Sequence, residues 1–333
     1  MANQRFTLAC RNYDGTNGIL RGLLKIPGVD LQVIEMSNLA EMFGCMFQGK
    51  FDISEMSLAE LIYYTSRNRC DFIGIPVFPS RVFRHGFIFC NRSSNIVGPE
   101  DLSGKKVGFL RWVQTAAIWI RGMLVDEYGV SADNTHWYVA SMHHWDNEHE
   151  GEEVNPRDGS VIHWVNKRGR SPYEDAYLAL SKGEIDALGV TENQLHHIQT
   201  DRNIKRVFEN FKAAETSYFK KTGIFHIMHV MVLRKSLIEQ YPDLPGKLFE
   251  LFSQAKEWAR QWVRETPSLT MVWKNQYFEE EQNLFQGDPC AYGLEKNRHV
   301  IDSFLSYCYS QGVSERKLTS EDLFAPSTWG LKE

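Results

Sequence analysis

The sequence lacks several features that would place it in a specialised class of protein. Its six cysteines lie far apart and none forms a C-x-x-C pair, which argues against a zinc knuckle or a disulfide framework. The longest nearly unbroken apolar run covers residues 225–233 and is too short to span a bilayer, which needs about 20 residues. No tract of Lys and Arg is long enough to follow a phosphate backbone, and the formal net charge is −5. Neither a nucleic acid nor a membrane is therefore expected as a partner.

The amino-terminal residues also lack the apolar stretch of roughly 7–15 residues that a secretory signal requires. Together with the sparse cysteines, this absence predicts reduced thiols and a cytoplasmic protein. The 333 residues are 43% hydrophobic and 24% charged, which is typical of a globular chain, and their number favours about two domains.

Period-two and helical patterns alternate along most of the chain, and this alternation predicts an α/β fold with a mostly parallel sheet. Strands are predicted at residues 6–11, 29–36, 51–54, 72–78, 106–110, 135–140, 161–165 and 185–190. Helices are predicted at residues 18–25, 39–48, 57–67, 115–128, 173–182, 245–265, 276–284 and 293–311. Residues 225–234 are apolar on both alternating faces, which is typical of a strand at the centre of a sheet.

A polar segment over residues 142–158 interrupts the pattern and is rich in His and Glu. Its histidines suggest a metal site, but zinc ligands need a firm frame and the segment lacks a helix motif such as H-E-x-x-H. We therefore predict a loop or lid there and no metal or other cofactor, with a catalytic metal as the alternative.

Two predicted strands run directly into helix starts, one at Ser57 and one at Gln114-Thr115. A Ser or Thr hydroxyl can cap each helix, and the unpaired backbone N–H groups of a helix amino terminus attract anions. Ligands of open α/β sheets collect beyond the carboxyl ends of the strands, where both turns lie. The pattern predicts an anion, such as a carboxylate, between two facing helix starts. Two ordinary capped helices are the alternative.

Basic side chains lie near the same strand ends. Arg81, Arg84 and His85 follow an apolar strand, and Arg111 precedes the second helix start. In an extended chain Arg81 and His85 point to one side and Arg84 to the other. Because a guanidinium binds a carboxylate through two parallel hydrogen bonds, these residues favour an anionic ligand, with a solvated surface turn as the alternative.

The sequence closely resembles the 4,5-dihydroxyphthalate decarboxylase family in several blocks, among them Asp52-Ile-Ser-Glu-Met-Ser-Leu58 and Ile75-Pro-Val-Phe-Pro-Ser-Arg-Val-Phe-Arg-His85. Further blocks extend the resemblance over essentially the whole chain, at residues 115–122, 126–130, 222–230, 292–298 and 318–327. The wider relatives resemble type II periplasmic solute-binding proteins, so the resemblance implies two α/β lobes with a ligand cleft between them. Residues 1–95 and 225–333 would form the first, discontinuous lobe, and residues 96–224 the second.

The chain departs from the family at two places where the substrate would be selected. Leu110-Arg-Trp-Val-Gln114 stands where the family usually has Pro-Glu-Tyr-Gln, and Thr191-Glu-Asn-Gln194 replaces a turn of the Ala-Pro-Ser type. These differences favour a changed substrate within the same reaction class.

The resemblance implies a cofactor-independent decarboxylase of a hydroxylated, phthalate-like aromatic acid or a related unsaturated carboxylic acid. A general acid protonates the carbon that loses CO₂, and His is the side chain that titrates closest to neutral pH. We predict that His85 or His229 handles this proton while Arg81 and Arg111 hold carboxylates. His226 lies three residues before His229 on a predicted strand, so the two should face opposite sides unless the strand bulges.

Further binding residues are expected at strand ends and helix starts. Tyr13, Asp14 and Glu192 follow predicted strands, and Trp112 is placed to stack on an aromatic ring. The predicted substrate-binding residues are Tyr13, Asp14, Ser57, Arg111, Trp112, Gln114, Thr115 and Glu192. The expected partner is a small carboxylic acid, and a homo-oligomer stays open. A protein that binds a small anion without reaction is one alternative function, and a metal-dependent lyase or hydrolase is another.

Overall fold

The computed structural model describes residues 4–141, 154–167, 170–192, 195–267 and 270–333. In these ranges the chain forms two mixed sheets with helices packed against them. The strands are β1 (Gln4–Cys10), β2 (Val29–Glu35), β3 (Ile53–Ser57), β4 (Phe72–Arg81), β5 (Ile88–Asn91), β6 (Lys106–Arg111), β7 (His136–Ser141), β8 (Val161–Trp164), β9 (Ala187–Gly189), β10 (Ile204–Arg206) and β11 (Ile227–Arg234). The helices are α1 (Asp14–Leu20), α2 (Leu39–Phe47), α3 (Leu58–Ser66), α4 (Thr115–Tyr128), α5 (Pro172–Ser181), α6 (Leu195–Thr200), α7 (Phe211–Thr222), α8 (Lys235–Gln240), α9 (Leu244–Glu265), α10 (Lys274–Phe285) and α11 (Leu294–Ser310).

The first sheet has the strand order β2-β1-β3-β11-β4. Strand β1 is parallel to β2 and β3, whereas β11 runs antiparallel to both of its neighbours. Strand β11 is buried along most of its length between β3 and β4. This burial confirms the prediction that residues 225–234 hold a strand covered on both faces.

The second sheet has the strand order β10-β5-β9-β6-β7-β8. Strand β6 is parallel to β7 and β9, and β7 is parallel to β8, but β5 is antiparallel to β9 and β10. Both sheets are therefore mixed, which corrects the expectation of a mostly parallel sheet. The reason is the same in both sheets. Strands β5 and β11 each follow a passage of the chain from the other sheet, and each runs antiparallel to both of its neighbours.

The chain passes between the sheets twice, first between β4 and β5 and then between β10 and β11. The two passages touch, because the backbone N–H of Val82 donates to the carbonyl of His226 at 3.1 Å. This arrangement gives the two-lobed α/β architecture. The division of the lobes at residues 95 and 225 stays a prediction.

Helix α1 begins at Asp14, earlier than the predicted start at residue 18. The Thr16 hydroxyl accepts a hydrogen bond from the backbone N–H of Tyr13 at 2.8 Å and so fixes the first turn. The helix ends after Leu20 because Gly22 has a φ of 67°, a left-handed conformation that glycine adopts without strain.

The main core joins the first sheet to helices α3, α4, α9 and α11. Helix α3 is buried on nearly every side, and most of α4 is buried as well. A smaller apolar cluster packs between the second sheet and α5. In the described part of the chain, no helix is both long enough and apolar enough to cross a bilayer. The packing of α3 and α4 fixes the position of their amino termini, where the cleft lies.

Candidate functional site

A cleft of about 530 Å³ lies at the carboxyl ends of strands from both sheets. Its walls include the last residues of β3, β6 and β7 and the residues that follow β1. Ligands bind at this edge in open α/β sheets. The lining residues are Arg11, Asn12, Tyr13, Asn38, Leu39, Ala40, Phe43, Ser57, Ser80, Val82, Arg84, Leu110, Arg111, Gln114, Thr115, Ala116, Ser141, Pro172, Tyr173, Thr191, Glu192, Met228 and His229.

A hydrogen-bonded group of Tyr13, Glu55 and His229 forms one side of the cleft. The Glu55 side chain is fully buried, and its Oε1 accepts a hydrogen bond from the Tyr13 hydroxyl at 2.7 Å. The same oxygen lies 2.6 Å from Nδ1 of His229. The second carboxylate oxygen accepts from the backbone N–H of Arg11 at 3.0 Å. The imidazole is thus held from its Nδ1 side by a buried carboxylate.

The contacts in this group favour an ionised Glu55 carboxylate and a protonated Tyr13 hydroxyl. Burial alone would raise the pKa of Glu55, but the hydrogen bonds from His229, from Tyr13 and from a backbone amide outweigh that effect and lower the pKa. Burial, and then the nearby Glu55 carboxylate, raise the pKa of the Tyr13 hydroxyl, which therefore keeps its proton. A carboxylate on one imidazole nitrogen fixes the orientation of the ring. Because Nδ1 of His229 faces Glu55, Nε2 is the nitrogen that remains for a ligand.

Strand β11 is irregular at His229. Its pairing with β4 shifts register on both sides of this residue, and His229 lies opposite Ser57 of β3. His226 precedes the strand and is fully buried, with its ring stacked on Trp119 at a centroid distance of 4.7 Å. The two histidines therefore do not share the cleft, and only His229 lines it.

Three arginines, Arg11, Arg84 and Arg111, line the cleft together with one carboxylate, Glu192. Arg84 is 3% exposed and its Nη1 lies 3.3 Å from Glu192. Burial lowers the pKa of Arg84, and Glu192 opposes that effect. Arg111 donates to the buried Glu60 carboxylate at 2.9 Å. The three guanidiniums are the groups of the lining that can bind a negatively charged ligand, and Arg84 and Arg111 each also contact a carboxylate of the protein.

Helices α3 and α4 begin side by side at the cleft. The hydroxyls of Ser57 and Thr115 lie 2.9 Å apart, and the Thr115 hydroxyl also accepts from the backbone N–H of Ala59 at 3.1 Å. The amino terminus of α3 is thus capped from within the protein, which corrects the expectation of an anion between two open helix starts. At α4 the N-cap residue, Gln114, forms no side-chain cap, so this helix start is the one placed to face an anion.

Seven predicted site residues line the cleft and four do not. Those in the lining are Tyr13, Ser57, Arg111, Gln114, Thr115, Glu192 and His229, and those outside it are Asp14, Arg81, His85 and Trp112.

His85 is fully buried among aromatic rings, which contradicts its prediction as a proton donor in the cleft. The ring centroids of Tyr218, Phe208 and His226 lie 5.0, 5.1 and 6.3 Å from that of His85. Neither nitrogen of His85 has a hydrogen-bond partner in the described chain, and burial lowers its pKa to about 3. An enclosed, neutral imidazole cannot deliver a proton to a ligand in the cleft.

The other three residues outside the cleft have structural contacts instead. Arg81 donates to the side chain of Asn297 on α11 and to a neighbouring carbonyl, and so ties α11 to the end of β4. The Trp112 indole donates to the carbonyl of Gln311 at 2.8 Å, in the core, where it cannot stack on a ligand in the cleft. Asp14 is exposed in the first turn of α1, where its carboxylate accepts a backbone N–H.

Sequence reasoning missed Arg11 and Glu55, and it considered Arg84 as a basic residue near the strand ends without including it among the predicted site residues. The alternation used for Arg81, Arg84 and His85 assumes an extended chain, but β4 ends at Arg81 and the backbone at Arg84 is not extended, so the period does not apply there. Glu55 lies beyond the strand predicted at residues 51–54, whereas the observed β3 continues to Ser57, so that Glu55 and Ser57 share a face of the strand. Arg11 had no signal beyond its place at a strand end.

No group of three or more His, Cys, Asp or Glu side chains in the described ranges could hold a metal ion. Most of the histidine-rich segment, residues 142–153, lies outside the described residues. The predicted loop or lid, and the metal site that was its alternative, fall in that segment.

The chain is similar to decarboxylases in sequence. It is 30% identical over 332 residues to the 4,5-dihydroxyphthalate decarboxylase of Comamonas testosteroni, which covers 98% of each protein. It is 31% identical over 138 residues to the 4,5-dihydroxyphthalate decarboxylase of Pseudomonas putida, which covers 41% of this chain and 53% of that protein. No family model matches the chain.

In structure the chain is similar to sulfonate-binding proteins. SsuA of Methylobacillus flagellatus matches with a TM-score of 0.55 and 13% identity, over 98% of this chain and 92% of that one. The alkanesulfonate-binding protein SsuA of Xanthomonas axonopodis, bound to MOPS, matches with a TM-score of 0.52 and 11% identity, over 99% and 98%. At such identities the likeness concerns the fold alone, and it confirms the predicted periplasmic-binding-protein-like architecture.

Proposed function

The chain belongs to the 4,5-dihydroxyphthalate decarboxylase family and is a carboxy-lyase, and from this premise we propose the substrate and the residues that act on it. The substrate is a hydroxylated aromatic acid, phthalate-like or a related unsaturated carboxylic acid, bound in the cleft without a cofactor. The observation that carries the proposal is the Glu55–His229 pair beside three lining arginines.

His229 is the proposed general acid. Its Nε2–H donates a proton to the ring carbon that bears the leaving carboxylate, with electron density supplied by a ring hydroxyl placed ortho or para. The C–C bond then breaks, CO₂ leaves, and its bonding electrons restore the aromatic ring. The imidazole regains a proton from solvent. Glu55 is a positioning residue, because its carboxylate lies 2.6 Å from Nδ1 and fixes the orientation of the ring.

The arginines are the proposed carboxylate-binding residues. Arg84 and Arg111 come from opposite sides of the cleft, one after β4 and one at the end of β6. A charge-assisted hydrogen bond is stronger than a neutral one, and a guanidinium holds both oxygens of a carboxylate in a fixed plane. The amino terminus of α4, which follows β6, adds partial positive charge on the side of Arg111. Binding energy gained at a second, unreactive acidic group helps to orient the carboxylate that leaves.

The test uses the purified protein with 4,5-dihydroxyphthalate and related hydroxylated aromatic acids, with release of CO₂ as the measurement. We expect turnover by the wild type and a loss of about 10²–10⁴-fold for His229→Ala. Added imidazole should restore part of that loss, since it replaces the missing acid. His197→Gln, which alters an exposed histidine on α6, is the matched control and should keep full activity.

Two results would contradict the proposal in different ways. If a folded wild-type protein releases no CO₂ from any hydroxylated aromatic acid, the substrate class is wrong. If His229→Ala keeps wild-type turnover, the assignment of the general acid is wrong. The fold that the chain shares with sulfonate-binding proteins favours simple binding as the second candidate function, and ligand-induced thermal stabilisation without product would indicate it.

A further inference from the structure

A planar aromatic acid presents two kinds of surface to the cleft. Its edge carries the carboxylates and hydroxyls, which the arginines and His229 can bind, whereas its two faces are apolar. A face that stays in contact with water contributes nothing to binding, so a cleft that selects aromatic acids needs an apolar group against the ring. The sequence predicts Trp112 for this contact, but Trp112 lies in the core.

Tyr173 is the lining residue that meets this requirement. It is 42% exposed, and among the large hydrophobic residues that are exposed in the described ranges it is the one that lines the cleft. The other two benzene rings of the lining are engaged with the catalytic group. The Tyr13 hydroxyl donates to Glu55, and Phe43 is 4% exposed and packs edge-on against His229 with the ring centroids 5.5 Å apart.

The backbone at Tyr173 is fixed, although its ring is free. Ser171 is the N-cap of α5, and it exchanges hydrogen bonds with Glu174 in a capping box. Pro172 occupies the first helical position, where its fixed φ suits the helix. Among the described residues, none forms a hydrogen bond or a ring contact with the Tyr173 side chain. The ring therefore has a firm attachment and an unoccupied surface.

Tyr173 lies on the same side of the cleft as Arg111. Helix α5 packs against β6, and β6 ends at Arg111. Burial raises the pKa of the Tyr173 hydroxyl, and the positive charge of Arg111 opposes that rise, so the phenol stays neutral at neutral pH. A neutral ring beside an arginine adds apolar surface to the site without adding negative charge that would repel a carboxylate.

We propose that Tyr173 is a specificity-determining residue whose ring stacks on the ring of the substrate and so favours aromatic acids over other acids of the same charge. The inference rests on the proposed function and narrows its substrate class to aromatic acids. Stacking of two rings adds to the binding energy from the arginines, whereas an acid without a ring gains the arginine contacts alone.

The experiment measures the Kd of phthalate and of maleate by isothermal titration calorimetry, at a pH at which both acids are dianions. Maleate holds its two carboxylates in the same cis arrangement but has no ring, so the ratio of the two Kd values isolates the ring contact. The wild type should bind phthalate more tightly. Tyr173→Ala should reduce this preference about 10-fold, and Tyr173→Phe should keep it. Tyr277→Ala removes a tyrosine that is 44% exposed outside the cleft and is the matched control, which should behave as the wild type.

Three results would overturn the inference. They are an equal preference for phthalate in wild type and Tyr173→Ala, a loss in Tyr173→Phe as large as in Tyr173→Ala, and no binding of phthalate by the folded wild type. The ratio needs no turnover, so the two proposals fail separately. A preference that Tyr173→Ala reduces in a protein that releases no CO₂ supports the role of Tyr173 and contradicts the proposed decarboxylation of hydroxylated aromatic acids. Release of CO₂ with an unchanged ratio does the reverse.

Discussion

The buried imidazole of His85 predicts a specific loss of stability in acid. Burial lowers the pKa of His85 from 6.5 to about 3 in the folded protein. Above the unfolded pKa both states are neutral and the residue has no effect on stability. As the pH falls below 6.5, the unfolded chain binds a proton that the folded protein does not, so the free energy of unfolding decreases. The decrease is complete near pH 3, where it reaches about 5 kcal/mol, because each unit of pKa difference corresponds to about 1.4 kcal/mol.

The test is His85→Phe, because phenylalanine keeps a ring among the aromatic neighbours Phe208 and Tyr218 but cannot be protonated. Urea unfolding is measured for both proteins at pH 7.5 and at pH 4.5. At pH 4.5, two pH units below the unfolded pKa, His85 costs the wild type about 3 kcal/mol. The wild type should therefore lose about 3 kcal/mol more between the two pH values than His85→Phe does. Any packing cost of the substitution is present at both pH values and cancels.

His197→Phe is the control, since His197 is exposed and its replacement should leave the pH dependence unchanged. Equal losses of stability in wild type and His85→Phe between pH 7.5 and pH 4.5 would refute the reasoning. Such a result would mean that the folded protein accepts a proton at His85 as readily as the unfolded chain.

Three further predictions concern the cleft. Glu55→Gln should lower kcat for CO₂ release by about 10–100-fold with little change in KM, because the residue positions His229 and does not touch substrate; an unchanged kcat would argue against that role. Arg84→Gln should raise KM about 10–100-fold with a smaller effect on kcat. Glu192→Gln should instead lower KM, because it removes the carboxylate that competes with the substrate for Arg84. Steady-state kinetics measures both variants, and KM shifts in the same direction would contradict these roles. Thr115→Val should reduce the free energy of unfolding by about 1–3 kcal/mol in urea, since it leaves the buried N–H of α3 without its acceptor, and no loss would show that this contact contributes nothing.

The α/β class could be predicted because the strands and helices carry strong periodic patterns and turn signals, whereas the two lobes were implied by the family resemblance. Helix α7 was missed for a physical reason: of its residues only Tyr218 is buried, so no apolar stripe marks it. Strands β5 and β10 are short, and a few residues of alternation do not distinguish a strand from a loop. The antiparallel entry of β11 depends on where the chain returns from the second lobe, which a local pattern does not record.

The site could be predicted in part. Helix-start and strand-end signals are local, and they led to Ser57, Thr115 and Glu192 in the lining. The contact between Glu55 and His229 joins residues 174 positions apart and depends on the register of β3 and β11. A sequence states neither that register nor the irregularity of β11 at His229. For the same reason the enclosure of His85 by rings from distant segments was not foreseen.

The residues that line the cleft are scattered from Arg11 to His229 and come from both sheets. A contiguous fragment would have to run from residue 11 to residue 229 to contain all of them, so a shorter proteolytic piece lacks part of the lining. Because the cleft needs residues from both sheets, recovery of enzymatic activity after dilution from denaturant should follow the packing of one lobe against the other. Circular dichroism, which records helices and strands as they form, should reach its native value before activity does.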